Sequence, residues 1–154
     1  GSRLGVDITE DVHTLPIGKA EILREGKDVC LWAIGSMVKN ACDTAELLQE
    51  HGISAGVVNM RFAKPLDKEL LFKHARIYGK IVTLEEGVLA GGVGSAVLET
   101  LNGEKMLDIC KVLTLGIPDE FITQGDRKLL FRDLKLDAPN LAETITAWIK
   151  GEEN

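Results

Sequence analysis

Several things are scarce in this 154-residue chain, and each scarcity removes a class of function. There are three cysteines, Cys30, Cys42 and Cys110, and no Cys-x-x-Cys pair, so neither a zinc ribbon nor a dithiol redox site can be written from them. Cys30 and Cys110 fall in apolar, strand-like runs and Cys42 on an apolar helix face, the pattern of buried free thiols in a reducing compartment. The three histidines, His13, His51 and His74, lie far apart, and no two share a helix face at metal-ligand spacing. No Gly-x-Ser-x-Gly elbow offers a hydrolase nucleophile. Basic residues are scattered singly and the net charge is −6, which argues against nucleic acid as a partner, because phosphate binding draws on clustered Lys and Arg. No apolar run approaches the roughly 18 residues of a membrane span, and no signal-peptide pattern opens the chain.

What is present reads as one domain. Apolar residues make up 45% of the chain, enough for a core, and no stretch is of low complexity. Residues 1–17 have no clear period and read as a lead-in; 18–150 carry the domain, and 151–154 are a tail. Strand-like runs at 19–24 and 28–34 flank Glu25-Gly26-Lys27 and suggest a hairpin. Helical spacing of Val38, Ala41, Cys42, Ala45 and Leu48 follows, with Gly52 as the expected cap. Further strands are expected at 53–60, 80–84 and 109–115. Helices are expected from Asp67 to Tyr78, from the glycine turn to Leu101, over 126–134, and after Asp137 with Pro139 in the first turn. Asp67 is the expected N-cap, with Leu66 and Leu71 as its staple. Alternating strands and helices specify a three-layer α/β/α fold. Its five-stranded sheet should be mostly parallel, with the first strand as an antiparallel edge.

Three features could carry chemistry, each with a structural alternative. Gly91-Gly92-Val93-Gly94-Ser95 opens a helix, and a glycine turn there could cradle phosphate or simply let the helix pack close to the sheet. Val97 breaks the dinucleotide fingerprint and no Gly-Lys-Ser/Thr makes a P-loop. Glu85-Glu86 follows a strand at the carboxyl edge, where α/β sheets bind ligands, yet neighbouring strand residues face opposite ways and need not share a site. Arg61 ends a parallel strand and could bind an anion or tie down the loop after it.

Four motifs then occur in order: Leu15-Pro16-Ile17-Gly18-Lys19; Val58-Asn59-Met60-Arg61-Phe62-Ala63-Lys64-Pro65-Leu66-Asp67; Glu85-Glu86-Gly87 with the glycine turn; and Leu115-Gly116-Ile117-Pro118-Asp119-Glu120-Phe121-Ile122. Together, over about residues 4 to 149, they resemble the transketolase-type C-terminal domain of 1-deoxy-D-xylulose-5-phosphate synthases. Some pieces are shared with transketolases and with the beta subunits of 2-oxo-acid dehydrogenases. The resemblance implies a cytoplasmic or plastid homodimeric parent that condenses pyruvate with glyceraldehyde 3-phosphate, feeding isoprenoid, thiamine and pyridoxal synthesis. It also implies thiamine diphosphate and Mg2+ bound by upstream catalytic domains of the same enzyme. The family's Gly-Asp-Gly…Asn metal motif is absent, since Arg127 follows Gly125-Asp126. The resemblance also implies that the family's catalytic glutamate and histidines belong to the other two domains, so no catalytic, cofactor or metal residue carries over, and this segment alone should be inactive. Arg61, Glu85, Glu86, Gly91, Gly92 and Gly94 remain as residues that could face an active site or a neighbouring domain. Lys135 stands where many relatives have glycine. The alternatives are the C-terminal domain of a transketolase or of a 2-oxo-acid dehydrogenase beta subunit, and a free-standing phosphate- or nucleotide-binding module.

Overall fold

The computed structural model describes residues 16–88, 92–117 and 134–152. Its elements are β1 (Glu21–Arg24), β2 (Val29–Ala33), α1 (Met37–Glu50), β3 (Ala55–Asn59), α2 (Lys68–Tyr78), β4 (Lys80–Val88), α3 (Val93–Gly103), β5 (Lys111–Ile117) and α4 (Ala138–Glu152). The helix expected over 126–134 lies outside the described residues except at Leu134, as do Gly91 and His13.

The five strands form one sheet in the order β1-β3-β2-β4-β5. Four run parallel, and β1 is the antiparallel edge. The expected hairpin is corrected here: β1 pairs with β3, not with β2, through Glu21↔Asn59 and Ile22↔Val58. The reason lies in residues 25–28, which cross the start of β3 instead of turning back. Asp28 and Val29 donate their N–H groups to the Ser54 carbonyl, and the Asp28 carboxylate accepts the Ser54 N–H at 2.7 Å. Gly26 lies so close to the Ala55–Gly56 backbone that a Cβ would have no room, which lets β3 slide between the first two strands.

Two apolar cores sit on the two faces of the sheet. One joins α1 and α4 to Leu31, Val57, Val82 and Leu84. The other joins α2 and α3 to Cys30, Trp32, Val58 and Ile81. β2 is buried along its whole length, as its continuous apolar run requires of a central strand covered on both sides. α1 ends in a Schellman turn: Gly52 N–H reaches the Gln49 carbonyl and Ile53 N–H the Leu48 carbonyl, while Ile53 and Leu48 both pack into the first core. Asp67 caps α2 as expected, accepting the Leu70 N–H at 3.1 Å. At the other end of that helix the Tyr78 hydroxyl accepts the Gly26 N–H at 3.0 Å and fills the space over Gly56.

Candidate functional site

The carboxyl ends of the parallel strands are aligned by register: Asn59 of β3 beside Ala33 of β2, and Ala33 beside Leu84 of β4. Arg61, Gly35 and Glu85-Glu86 therefore come out along one edge. Arg61 lies two strands from the carboxylates, roughly 10 Å at the usual strand spacing.

β4 continues to Val88, so Glu85 and Glu86 lie inside the strand and not just past its end. Alternation sends them to opposite faces. Glu85 is buried; its Oε1 accepts the Val93 N–H at 3.0 Å and its Oε2 the Gly94 N–H at 2.9 Å. The carboxylate thus occupies the first turn of α3, where unpaired N–H groups and the positive end of the helix dipole favour an anion. An internal carboxylate stands where a phosphate would have been cradled. Glu86 is half-buried on the other face, its Oε1 3.8 Å from where a Cβ on Gly35 would stand.

Of the glycine turn, Gly92 is the N-cap of α3 and Gly94 touches the sheet. A Cβ on Gly94 would stand 2.7 Å from Thr114 Cγ2 and 2.9 Å from Thr114 Cβ. Close helix-to-sheet packing accounts for this glycine.

Arg61 has φ 64°, in the left-handed region. Its N–H is held by Asn59 Oδ1 at 3.0 Å, and its guanidinium lies over the Phe62 ring, 4.9 Å from the centroid. The guanidinium donates to the carbonyls of Lys19 at 3.1 Å and Pro16 at 3.4 Å. It ties down the segment before β1, not the loop after itself as the sequence suggested. The partners are 42 and 45 residues away, beyond any local pattern.

Sequence reasoning also missed a buried polar group in the second core. Trp32 Nε1–H donates to His74 Nδ1 at 3.2 Å, Cys30 Sγ is 3.5 Å from the same nitrogen, and Tyr78 meets His74 edge to face. Burial pushes the Cys30 thiol up to about 12 and holds His74 below its ordinary value. A neutral thiol beside a neutral imidazole is not an activated nucleophile, which needs the thiolate. Burial likewise pushes Cys110 up to about 11.

Beside the lead-in, an open groove of about 700 Å3 runs between β1 and α2. Lys19, Lys73 and Arg76 alternate there with Glu21, Asp67 and Glu69, so it presents no field of one sign. Among the described residues no three His, Cys, Asp or Glu side chains stand close enough to hold a metal ion. With the α3 N-terminus already filled by Glu85, the described residues do not by themselves fit thiamine diphosphate and its magnesium. No helix among them is long and apolar enough to cross a membrane.

A family model described as the C-terminal domain of transketolase matches residues 18–141. The 1-deoxy-D-xylulose-5-phosphate synthase of Heliobacterium modesticaldum is 51% identical over 142 residues, which cover 92% of this chain and 22% of that protein. The synthase of Microcystis aeruginosa is 48% identical over 148 residues, covering 96% of this chain and 23% of its own length. The chain therefore spans less than a quarter of these relatives. Among solved structures, one described as a split gene transketolase, inactive beta4 tetramer, superposes with a TM-score of 0.79 at 36% identity, over 88% of this chain and 44% of that one. A mutant transketolase from Pichia stipitis shares the fold with a TM-score of 0.61 at 19% identity, over 86% of this chain and 18% of that one. Matched over most of its length, and built on the mixed sheet of its structural neighbours, the chain belongs to the transketolase C-terminal domain family.

Proposed function

We propose that this chain is the C-terminal domain of a 1-deoxy-D-xylulose-5-phosphate synthase and that its task is to support the catalytic domains and the dimer of that enzyme. The observation that carries the reading is identity near 50% to synthases of which the chain spans less than a quarter. The parent condenses pyruvate with glyceraldehyde 3-phosphate and releases carbon dioxide. Its thiamine diphosphate and Mg2+ belong to the rest of the polypeptide, and it works in the bacterial cytoplasm or the plastid stroma. The lead-in reaches β1 at the carboxyl edge of the parallel strands, which favours that edge as the side turned toward the catalytic domains. Arg61, Glu85 and Glu86 then sit at or behind the domain boundary as structural residues.

Two measurements test this. The reading frame around the segment should encode a Gly-Asp-Gly…Asn motif upstream, and its full product should form 1-deoxy-D-xylulose 5-phosphate. The 154 residues alone, given cofactor, metal and both substrates, should give no product; turnover at the parent's rate would sink the assignment of a supporting role.

A second reading, a subunit of a split transketolase, draws on the 36% identity to the split gene transketolase. The same reading frame decides, because a split enzyme carries its cofactor-binding half on another gene. Binding of a free nucleotide at the glycine turn is disfavoured by Glu85, whose carboxylate already takes the N–H groups of Val93 and Gly94.

A further inference from the structure

The segment leading into β1 is gripped by the connection from β3 to α2 together with the first turn of α2. Residues 16–20 lie along residues 61–69 and are held from several directions. Arg61 donates to the Pro16 and Lys19 carbonyls. Asp67 accepts the Ala20 N–H at 2.8 Å through the carboxylate oxygen that does not cap α2. Lys19 Nζ is 3.5 Å from the Glu69 carboxylate. Gly18, at φ +84°, lies on Pro65, where a Cβ would stand 3.0 Å from the ring. Most of these grips are on backbone atoms, so they fix the path of the lead-in whatever its side chains.

Arg61 holds the centre of the grip, and it does so from a left-handed backbone that glycine or asparagine would adopt at lower cost. Both carbonyls are held by one guanidinium nitrogen, Nη1, so the end of the side chain is anchored on the backbone of the lead-in. We infer that Arg61 is a positioning residue: it fixes the direction in which the chain enters the domain, and so sets how the sheet's carboxyl edge seats against the domains that precede it. Domains joined by an untethered linker move relative to one another by default. A linker pinned at its last residues removes that freedom. The inference rests on the reading of this chain as part of a larger synthase.

The test uses Arg61→Gly, which keeps the left-handed backbone while removing the guanidinium, and Arg61→Lys, which keeps charge without the fork. In the 154-residue chain, amide exchange at Lys19 and Ala20 should quicken about tenfold in Arg61→Gly while the amides of Leu31 and Trp32 in β2 stay unchanged. In the full-length synthase, kcat should fall roughly tenfold with KM for both substrates nearly constant, as expected when reacting groups are misplaced while substrate binding is retained. Arg61→Lys should recover part of each effect. Unchanged exchange at Lys19 and Ala20 would overturn the grip, and faster exchange with unaltered kcat would overturn the positioning role. A wild-type full-length product without synthase turnover would instead sink the parent assignment and the positioning role with it, while the exchange result would still report on the grip itself.

Discussion

At the scale of single residues, geometry separates glycines that look alike in the sequence. Gly94 and Gly103 both belong to α3, yet a Cβ on Gly94 meets Thr114 at 2.7 Å whereas one on Gly103 meets nothing within 4 Å. Gly94→Ala should therefore destabilise the fold by about 1–3 kcal/mol through overpacking. Gly103→Ala should be neutral or stabilising by up to about 1 kcal/mol through helix propensity. Urea midpoints of the two variants check the contrast. Lys135 gives the converse case. It has φ 62°, a conformation that costs an L side chain about 1–2 kcal/mol. Lys135→Gly should raise stability by about 0.5–1 kcal/mol after the added chain entropy of glycine is subtracted. The departure from the family's glycine was legible in the sequence; its left-handed backbone was not.

His74 supplies a pH dependence at the same scale. Its folded-state pKa lies below the ordinary 6.5, because burial disfavours the imidazolium and Nδ1 already accepts the Trp32 N–H. The unfolded chain thus binds the proton more readily. Stability from this residue is complete above pH 6.5 and is lost as pH falls through that value toward the folded pKa. The denaturation midpoint of the wild type should drop more steeply below pH 6.5 than that of His74→Gln, which can still accept from Trp32 but does not titrate. Equal slopes would show that other groups govern the acid limb.

At the scale of elements, α3 depends on a residue outside itself. No side chain of its own N-cap serves it, since that residue is Gly92; Glu85 of β4 serves instead. Glu85→Gln leaves one acceptor where two N–H groups need partners and removes the charge that complements the dipole. The loss should be about 1–3 kcal/mol. Hydrogen exchange should quicken at Val93 and Gly94 more than in β2. The positions of α1, α2 and the central strands were legible because their apolar spacing is local, as was the cap at Asp67. The pairing of β1 was not. A short glycine turn between two strand-like runs looks the same whether the chain folds back or crosses β3, and only the Ser54 and Gly56 contacts decide. The same limit applies to the site. The sequence pointed to the carboxylates and glycines, but the hydrogen bonds that Glu85 accepts from Val93 and Gly94 join residues 8 and 9 apart across a β–α connection, and those that Arg61 donates span more than forty.

At the scale of the whole molecule, the two cores are separate in composition but meet at the sheet. β2 supplies Leu31 to one face and Trp32 to the other, and β4 supplies Val82 and Ile81 in the same way. Neither layer of helices can leave without uncovering strands that the other layer needs, so unfolding should be all-or-none for a domain of this size. The arrangement that determines cooperativity also determines what light can report. The chain has two tryptophans, and each face of the sheet holds one: Trp32 is fully enclosed with α2 and α3, and Trp148 is half-buried with α1 and α4. Emission from this protein is accordingly a sum of two reporters on opposite sides of one sheet. Trp148→Phe leaves only the signal from the α2–α3 side, and its unfolding midpoint should coincide with that of the same variant followed by circular dichroism. A separation between the two curves would reveal one layer peeling away before the other, with the sheet as the plane of cleavage.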